Sequence, residues 1–90
     1  MDDYALVGFN RSRTKNKMYD ALIRGVDGEI RRIPFGDTRY ENYHDLTGLN
    51  LYPHLNHGDK NRRKSYRSRH KGYLRAGYFS PGHFSFYYLW

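Results

Sequence analysis

The sequence predicts a small α+β domain: an antiparallel β-meander or hairpin of about three strands, accompanied by two or three short helices. Three observations carry that prediction. Two alternating segments flank Gly25-Val26-Asp27-Gly28, the clearest turn signal in the chain. Helix-start residues stand at Asp59 and at Ser80, the latter followed by Pro81. Ninety residues give one small domain at most, and no internal repeat or long linker divides them. Residues 4–35 form the β-rich half of this single unit (1–90), and residues 36–90 the basic helical and aromatic half.

The elements follow in order. Residues 4–9 (YALVGF) read as a short strand, and residues 10–16 as a polar, basic loop. Residues 17–25 alternate, which places Tyr19, Ala21 and Ile23 on one face. The return strand is residues 29–35. A four-residue turn pairs Ile23 with Ile30 and Arg24 with Glu29, both favourable. A two-residue Asp-Gly turn sets Arg24 against Arg31, so the first register is preferred. Apolar residues change phase between Ile30 and Ile33, which suggests a bulge near Arg31-Arg32. Pro34 assigns this strand to a sheet edge.

Beyond the sheet, Thr38-Arg39-Tyr40-Glu41 fits a capping box, predicting a short helix to about Asp45, stopped by Thr47-Gly48. Leu46, Leu49 and Leu51 would pack that helix on the sheet. Asp59 would cap a helix over residues 60–71, ended by Gly72. Tyr66, His70 and Tyr73 fall at i, i+4 and i+7 and make one face of it. Ser80-Pro81 opens the last helix, with Phe84, Tyr87 and Tyr88 at helical spacing and Trp90 at the end.

Composition narrows function by exclusion. With no cysteine, disulfides, thiolate metal sites and a cysteine nucleophile are excluded. No apolar run approaches the ~18 residues of a membrane span, and the acidic start Met1-Asp2-Asp3 lacks a signal-peptide pattern. The expected compartment is therefore cytosolic, nuclear or the interior of an assembled particle, and the chain is not expected to be secreted. The hydrophobic fraction of 38% is below the usual ~45–50%, and it leans on ten Tyr, five Phe and one Trp.

Charge is divided unevenly. Residues 1–45 carry eight Lys/Arg and eight Asp/Glu; residues 46–90 carry eight Lys/Arg and one acid, Asp59, and so hold the whole net +7. Those eight cations are Lys60, Arg62, Arg63, Lys64, Arg67, Arg69, Lys71 and Arg75. They could neutralise phosphates, with Tyr66 and Tyr73 as stacking faces, or bind an acidic protein surface. The plainer alternative is a solvated helix face, or arginines lying over the protein's own tyrosine rings. No finger, aromatic RNA-binding signature or zipper accompanies them.

The tail offers a second candidate surface. Tyr78, Phe79, Phe84, Phe86, Tyr87, Tyr88 and Trp90 cannot all face inward in so small a domain, so some should complete the core and others dock on a partner. The histidines offer a third. His54 and His57, with Asp59 and His70, can be drawn as a divalent-metal site for a nuclease. Loop histidines more often serve turns, no paired carboxylates flank them, and a structural His70 against Tyr66 is the preferred reading. Phosphate-cradling glycine loops and Gly-x-Ser-x-Gly elbows are absent from the sequence. Glu41 and Asp45 read as capping or solvent-facing groups. The expectation is a non-enzymatic protein with no cofactor, no bound metal and no small-molecule substrate.

The order of motifs resembles a known group. Lys17-Met18-Tyr19-Asp20-Ala21, Phe35-Gly36 and Tyr43-His44-Asp45 are followed by His57-Gly58-Asp59-Lys60-Asn61-Arg62-Arg63, Tyr66 and Arg69-His70. The close is Ser80-Pro81-Gly82, Ser85 and Tyr88-Leu89-Trp90. Over residues 17–90 this resembles small, basic, uncharacterised proteins encoded by large double-stranded DNA viruses of algae and protists and by some phages. Its most specific piece is the His-x-Asp-x-x-Arg-Arg-x-x-Tyr-x-x-Arg-His run. The resemblance carries no activity with it. It implies a viral or phage-like source, with residence in the virion or in host cytoplasm or nucleus. The leading expectation is thus a minor capsid or cement-type virion component, docking on other capsid proteins through the basic helix and aromatic tail. Nucleic-acid binding through residues 60–75 is the alternative, and a His-based metal-dependent nuclease the second alternative.

Overall fold

The structure is a computed structural model and describes residues 4–71 and 80–90. It is the small α+β fold expected: strands β1 (Ala5–Arg11), β2 (Tyr19–Arg24) and β3 (Ile30–Phe35), a 3-10 turn at Pro53–Leu55, and helices α1 (Lys60–His70) and α2 (Pro81–Tyr88). The strands form one antiparallel sheet in the order β1-β2-β3. The expectations placed on Gly72, Tyr73, Arg75, Tyr78 and Phe79 lie outside the described residues.

Central β2 behaves as its alternation predicts. Tyr19, Ala21 and Ile23 point inward and are buried. On its opposite face Asp20 is also buried, where it accepts a hydrogen bond from the Ser12 hydroxyl at 2.7 Å. In β1 the apolar residues Leu6 and Phe9 are three positions apart, which would put them on opposite faces of a regular strand. A register shift between Leu6 and Gly8 realigns them, and both pack against the core.

Two expectations for the hairpin are corrected. Arg24 pairs with Ile30 and Ile23 with Arg31, one position from the preferred register. The Gly25 N–H donates to the Glu29 carbonyl at 2.9 Å and the Gly28 N–H to the Gly25 carbonyl at 3.0 Å, so the loop is three residues long. Gly28 closes it with φ +83°, a conformation that costs glycine little. The bulge expected near Arg31-Arg32 is not there, because β2 and β3 pair in continuous register. Ile30 simply faces outward, half exposed, while Ile33 and Phe35 face the core. Pro34 does sit on an edge strand.

The capping-box helix before Asp45 does not form. The Asp37 carboxylate instead accepts from the Arg39 N–H at 2.9 Å and pairs with its guanidinium at 2.7 Å, closing a single turn. The chain then stays extended because its backbone groups are used elsewhere. The Asn42 N–H donates to Leu55 O at 2.9 Å and Asn42 O accepts from His57 N–H at 2.9 Å. Tyr43 and His44 N–H groups both donate to Leu89 O, and Leu46 N–H donates to Tyr88 O at 2.8 Å. An isolated capping signal is worth ~1 kcal/mol, less than this set of tertiary hydrogen bonds. Without the helix, Leu46 and Leu49 are exposed, and Leu51 alone of the three leucines packs on the core.

The core lies between the sheet and α2. Met18, Tyr19, Ala21, Ile23, Phe35, Phe84 and Leu89 are its buried members. Aromatic edges meet faces across it, Phe9 with Phe35 at 5.8 Å and Phe9 with Tyr88 at 4.8 Å, while Phe35 and Phe84 lie tilted at 5.5 Å. The α2 helix starts where expected, with the Ser80 hydroxyl accepting from the His83 N–H at 3.1 Å and Pro81 in the first turn. Gly36 lets the chain pass close beneath it: φ is +76°, and an added Cβ would lie 2.9 Å from Leu89 Cδ1.

Candidate nucleic-acid interface

The basic helix α1 lies on the surface and buries none of its residues. Its start is set by Asp59, whose carboxylate accepts from the Asn61 N–H at 2.9 Å and the Arg62 N–H at 3.2 Å. Asp59 is itself positioned by its N–H, which donates to His57 Nδ1 at 2.8 Å. The His57 ring is thereby neutral with its proton on Nε2, and burial holds its pKa below the ordinary histidine value.

One side of α1 is held to the body of the protein by rings and arginines. Tyr66 stacks on Trp90, with centroids 4.1 Å apart and planes 5° apart, and His70 lies 4.3 Å from Tyr66. The Arg63 Nε donates to the Trp90 main-chain oxygen at 2.8 Å, and its guanidinium lies 5.0 Å from the Tyr43 ring. Arg67 covers the Phe86 ring at 4.2 Å. Arg62 pairs with Glu41 at 2.9 Å, which lowers the Glu41 pKa. For Arg63 and Arg67 the plainer sequence reading therefore holds: they pack over the protein's own aromatics.

The other predicted cations are differently placed. Lys60, Lys64, Arg69 and Lys71 are exposed. Among the described residues no carboxylate stands within ion-pair distance of any of them. Arg69 lines two clefts that meet at Trp90. One, of about 640 Å³, is also bounded by Lys17, Asp37, Tyr66 and Ser85. The other, about 340 Å³, lies against Asn61, Arg62 and Ser65. The larger carries charges of both signs and so does not select an anion. The smaller lies between α1 and Trp90.

The described rings of the aromatic tail divide between the interior and the surface, as expected of a tail that completes the core with some of its rings. Phe84 and Phe86 are buried. Tyr88 packs against Phe9, and Trp90 is stacked on Tyr66. Of the predicted docking rings that are described, Tyr87 is the exposed one.

The histidines do not converge. His54 contacts Tyr52, His57 contacts Tyr43 and Trp90, and His70 contacts Tyr66. Among the described residues no three His, Asp or Glu side chains group closely enough to hold an ion. No described helix is long and apolar enough to cross a membrane. Asp45 also departs from its solvent-facing assignment. It is buried, accepts a hydrogen bond from the Tyr19 hydroxyl, and accepts from the Thr47 N–H at 2.7 Å and the Thr47 hydroxyl at 2.6 Å. No spacing rule marks that pairing in the sequence, because its partners are 26 positions apart. Comparison with family models, with curated proteins and with solved structures returns no match to this chain.

Proposed function

We propose that this protein is a non-enzymatic nucleic-acid-binding protein that engages phosphates through the exposed cations of α1. The supporting observation is the set Lys60, Lys64, Arg69 and Lys71 on one surface helix, free of carboxylate partners among the described residues. Structural ion-pair surfaces interleave both signs. This helix has no acid between its cap and its end, so an external anion is the partner that its charge favours. Burial of Phe84 and Phe86 removes two anchors from a docking role in a viral particle and leaves the cationic helix as the stronger feature.

An electrophoretic mobility-shift titration at low salt tests the reading. The wild-type protein binds DNA, and binding weakens steeply as salt rises, because each neutralised phosphate contributes ~0.9 to the log–log salt slope on duplex DNA. Changing Lys60, Lys64, Arg69 and Lys71 to Gln flattens that slope. Absence of binding at low salt defeats the proposal.

A further inference from the structure

The arrangement of side chains around α1 goes beyond a count of charges. At 3.6 residues per turn, successive residues advance by about 100°. Lys60, Lys64 and the C-cap residue Lys71, which continues in helical conformation, then fall within about 40° of one another. Arg62 and Arg69 form a second row within about 20°, displaced from the first by about 170°. Between the rows, facing solvent, stand Asn61, Ser65 and Ser68, all exposed. Tyr66, Arg67 and His70, the partly covered residues of the helix, lie on the side opposite that ridge. The outward aspect of α1 is thus a narrow band of small, uncharged hydrogen-bonding side chains with a cationic row on each flank.

That pattern has the dimensions and charge of one particular occupant. An α-helix with its side chains is about 10–12 Å across, and the major groove of B-form DNA is about 12 Å wide with a phosphate backbone on either side. A helix lying in it puts its flanks against the two backbones and its outermost ridge against base edges. Asn is matched to adenine, and Ser is a tolerant partner for several bases. The eleven residues of α1 span about 16 Å, enough for roughly five base pairs at 3.4 Å each. Double-stranded RNA offers no such seat, since its major groove is too deep and narrow for side chains to read. We propose that α1 seats in the major groove of duplex DNA, with Asn61, Ser65 and Ser68 toward the bases, Lys60, Lys64 and Lys71 on one backbone and Arg62 and Arg69 on the other. This rests on the nucleic-acid reading above. Arg62 reaches the backbone by exchanging Glu41 for phosphate, an exchange of one exposed partner for another.

Fluorescence anisotropy with four labelled oligonucleotides of one sequence tests it, using the full chain at one fixed salt concentration. The probes are duplex DNA, duplex RNA, single-stranded DNA, and duplex DNA whose major groove is filled by glucosylated 5-hydroxymethylcytosine. The proposal expects duplex DNA to bind at least about tenfold tighter than each of the other three, in line with groove-specific contacts. Equal affinity for all four, or tighter binding to single strands or to RNA, overturns the groove seat while leaving phosphate binding intact. Binding to none of them overturns both. An Asn61→Ala/Ser65→Ala/Ser68→Ala variant separates ridge from flanks. Its three positions are exposed and helix-compatible, so its circular dichroism stays unchanged. The proposal expects it to keep the salt slope and lose sequence preference among duplexes. Unchanged preference counts against the ridge.

Discussion

Replacing Tyr19 with Phe removes one oxygen from the centre of the molecule and leaves the ring in place. Tyr19 is fully buried, and its hydroxyl joins three parts of the chain: β2, the Asp45 carboxylate and the Leu51 N–H. Without it, Asp45 keeps its two bonds from Thr47 but loses the donor that ties it to β2. A hydrogen bond to a charged group contributes about 1.5–3 kcal/mol. The Leu51 N–H, a donor to Tyr19 at 3.0 Å, loses its acceptor as well, but Leu51 is only partly covered and water can replace part of that bond. The expected destabilisation is therefore about 2–3 kcal/mol, read as a fall in the urea midpoint at unchanged slope. In a domain of this size that corresponds to roughly 10–20 °C in Tm. A second readout comes from alkaline pH. Burial first, and the Asp45 hydrogen bond second, raise the Tyr19 pKa to about 12. Its contribution is complete below the unfolded value of about 10 and is lost as pH rises through the folded value. The Phe variant lacks that group's share of the alkaline loss. A stability change under about 0.5 kcal/mol, within the range of an ordinary surface substitution, refutes the role given to this hydroxyl.

Gly36→Ala meets both a positive φ and the crowded Leu89 and Met18 side chains. It should cost about 2–3 kcal/mol in urea unfolding, against about 1 kcal/mol for Gly48→Ala, whose added methyl meets nothing within 4 Å; equal costs would show that the close packing under Gly36 is not real. Burial lowers the pKa of both His57 and His83, so the unfolded chain takes up their protons first. Their stabilisation is present above about pH 6.5 and is lost as pH falls through the folded values. Tm should accordingly fall on acidification below that point, with a smaller fall in His57→Gln; a flat profile from pH 7.5 to 5 contradicts the placement of these rings. Glu41→Gln removes the carboxylate paired with Arg62 and should tighten DNA binding at low salt, severalfold, by freeing that guanidinium; weaker binding would mean that Arg62 works only through its ion pair.

The sheet was legible in the sequence because period-two alternation and turn chemistry are local signals. The inward set Tyr19, Ala21 and Ile23 and the edge position of Pro34 follow from them. The hairpin register differed by one residue because the left-handed Gly28 closes a three-residue loop, and the four-residue turn string fits either length. Both α-helix starts were legible for the same reason: Asp59 and Ser80 cap their helices through N–H groups only two or three residues away. The false helix before Asp45 shows the limit of such signals. Its backbone groups are taken by Leu55, Tyr88 and Leu89, far along the chain, and nothing near residue 41 announces that. The cationic segment was visible as charge, but its division was not. Which arginines lie on Tyr43 and Phe86 and which face solvent depends on where the tail returns. The tail's rings looked too numerous for the interior, yet a sheet with few large aliphatics leaves space for Phe84, and Arg67 roofs Phe86.

The most direct measurement is a two-dimensional NMR titration of the isotopically labelled protein with a short DNA duplex. If α1 is the contact surface, the amide and side-chain shifts that move with added DNA cluster on Asn61, Arg62, Lys64, Ser65, Ser68 and Arg69, and the outer sheet residues Leu22 and Arg24 stay still. Shifts centred on the sheet, or a spectrum that does not change at all, would contradict the account.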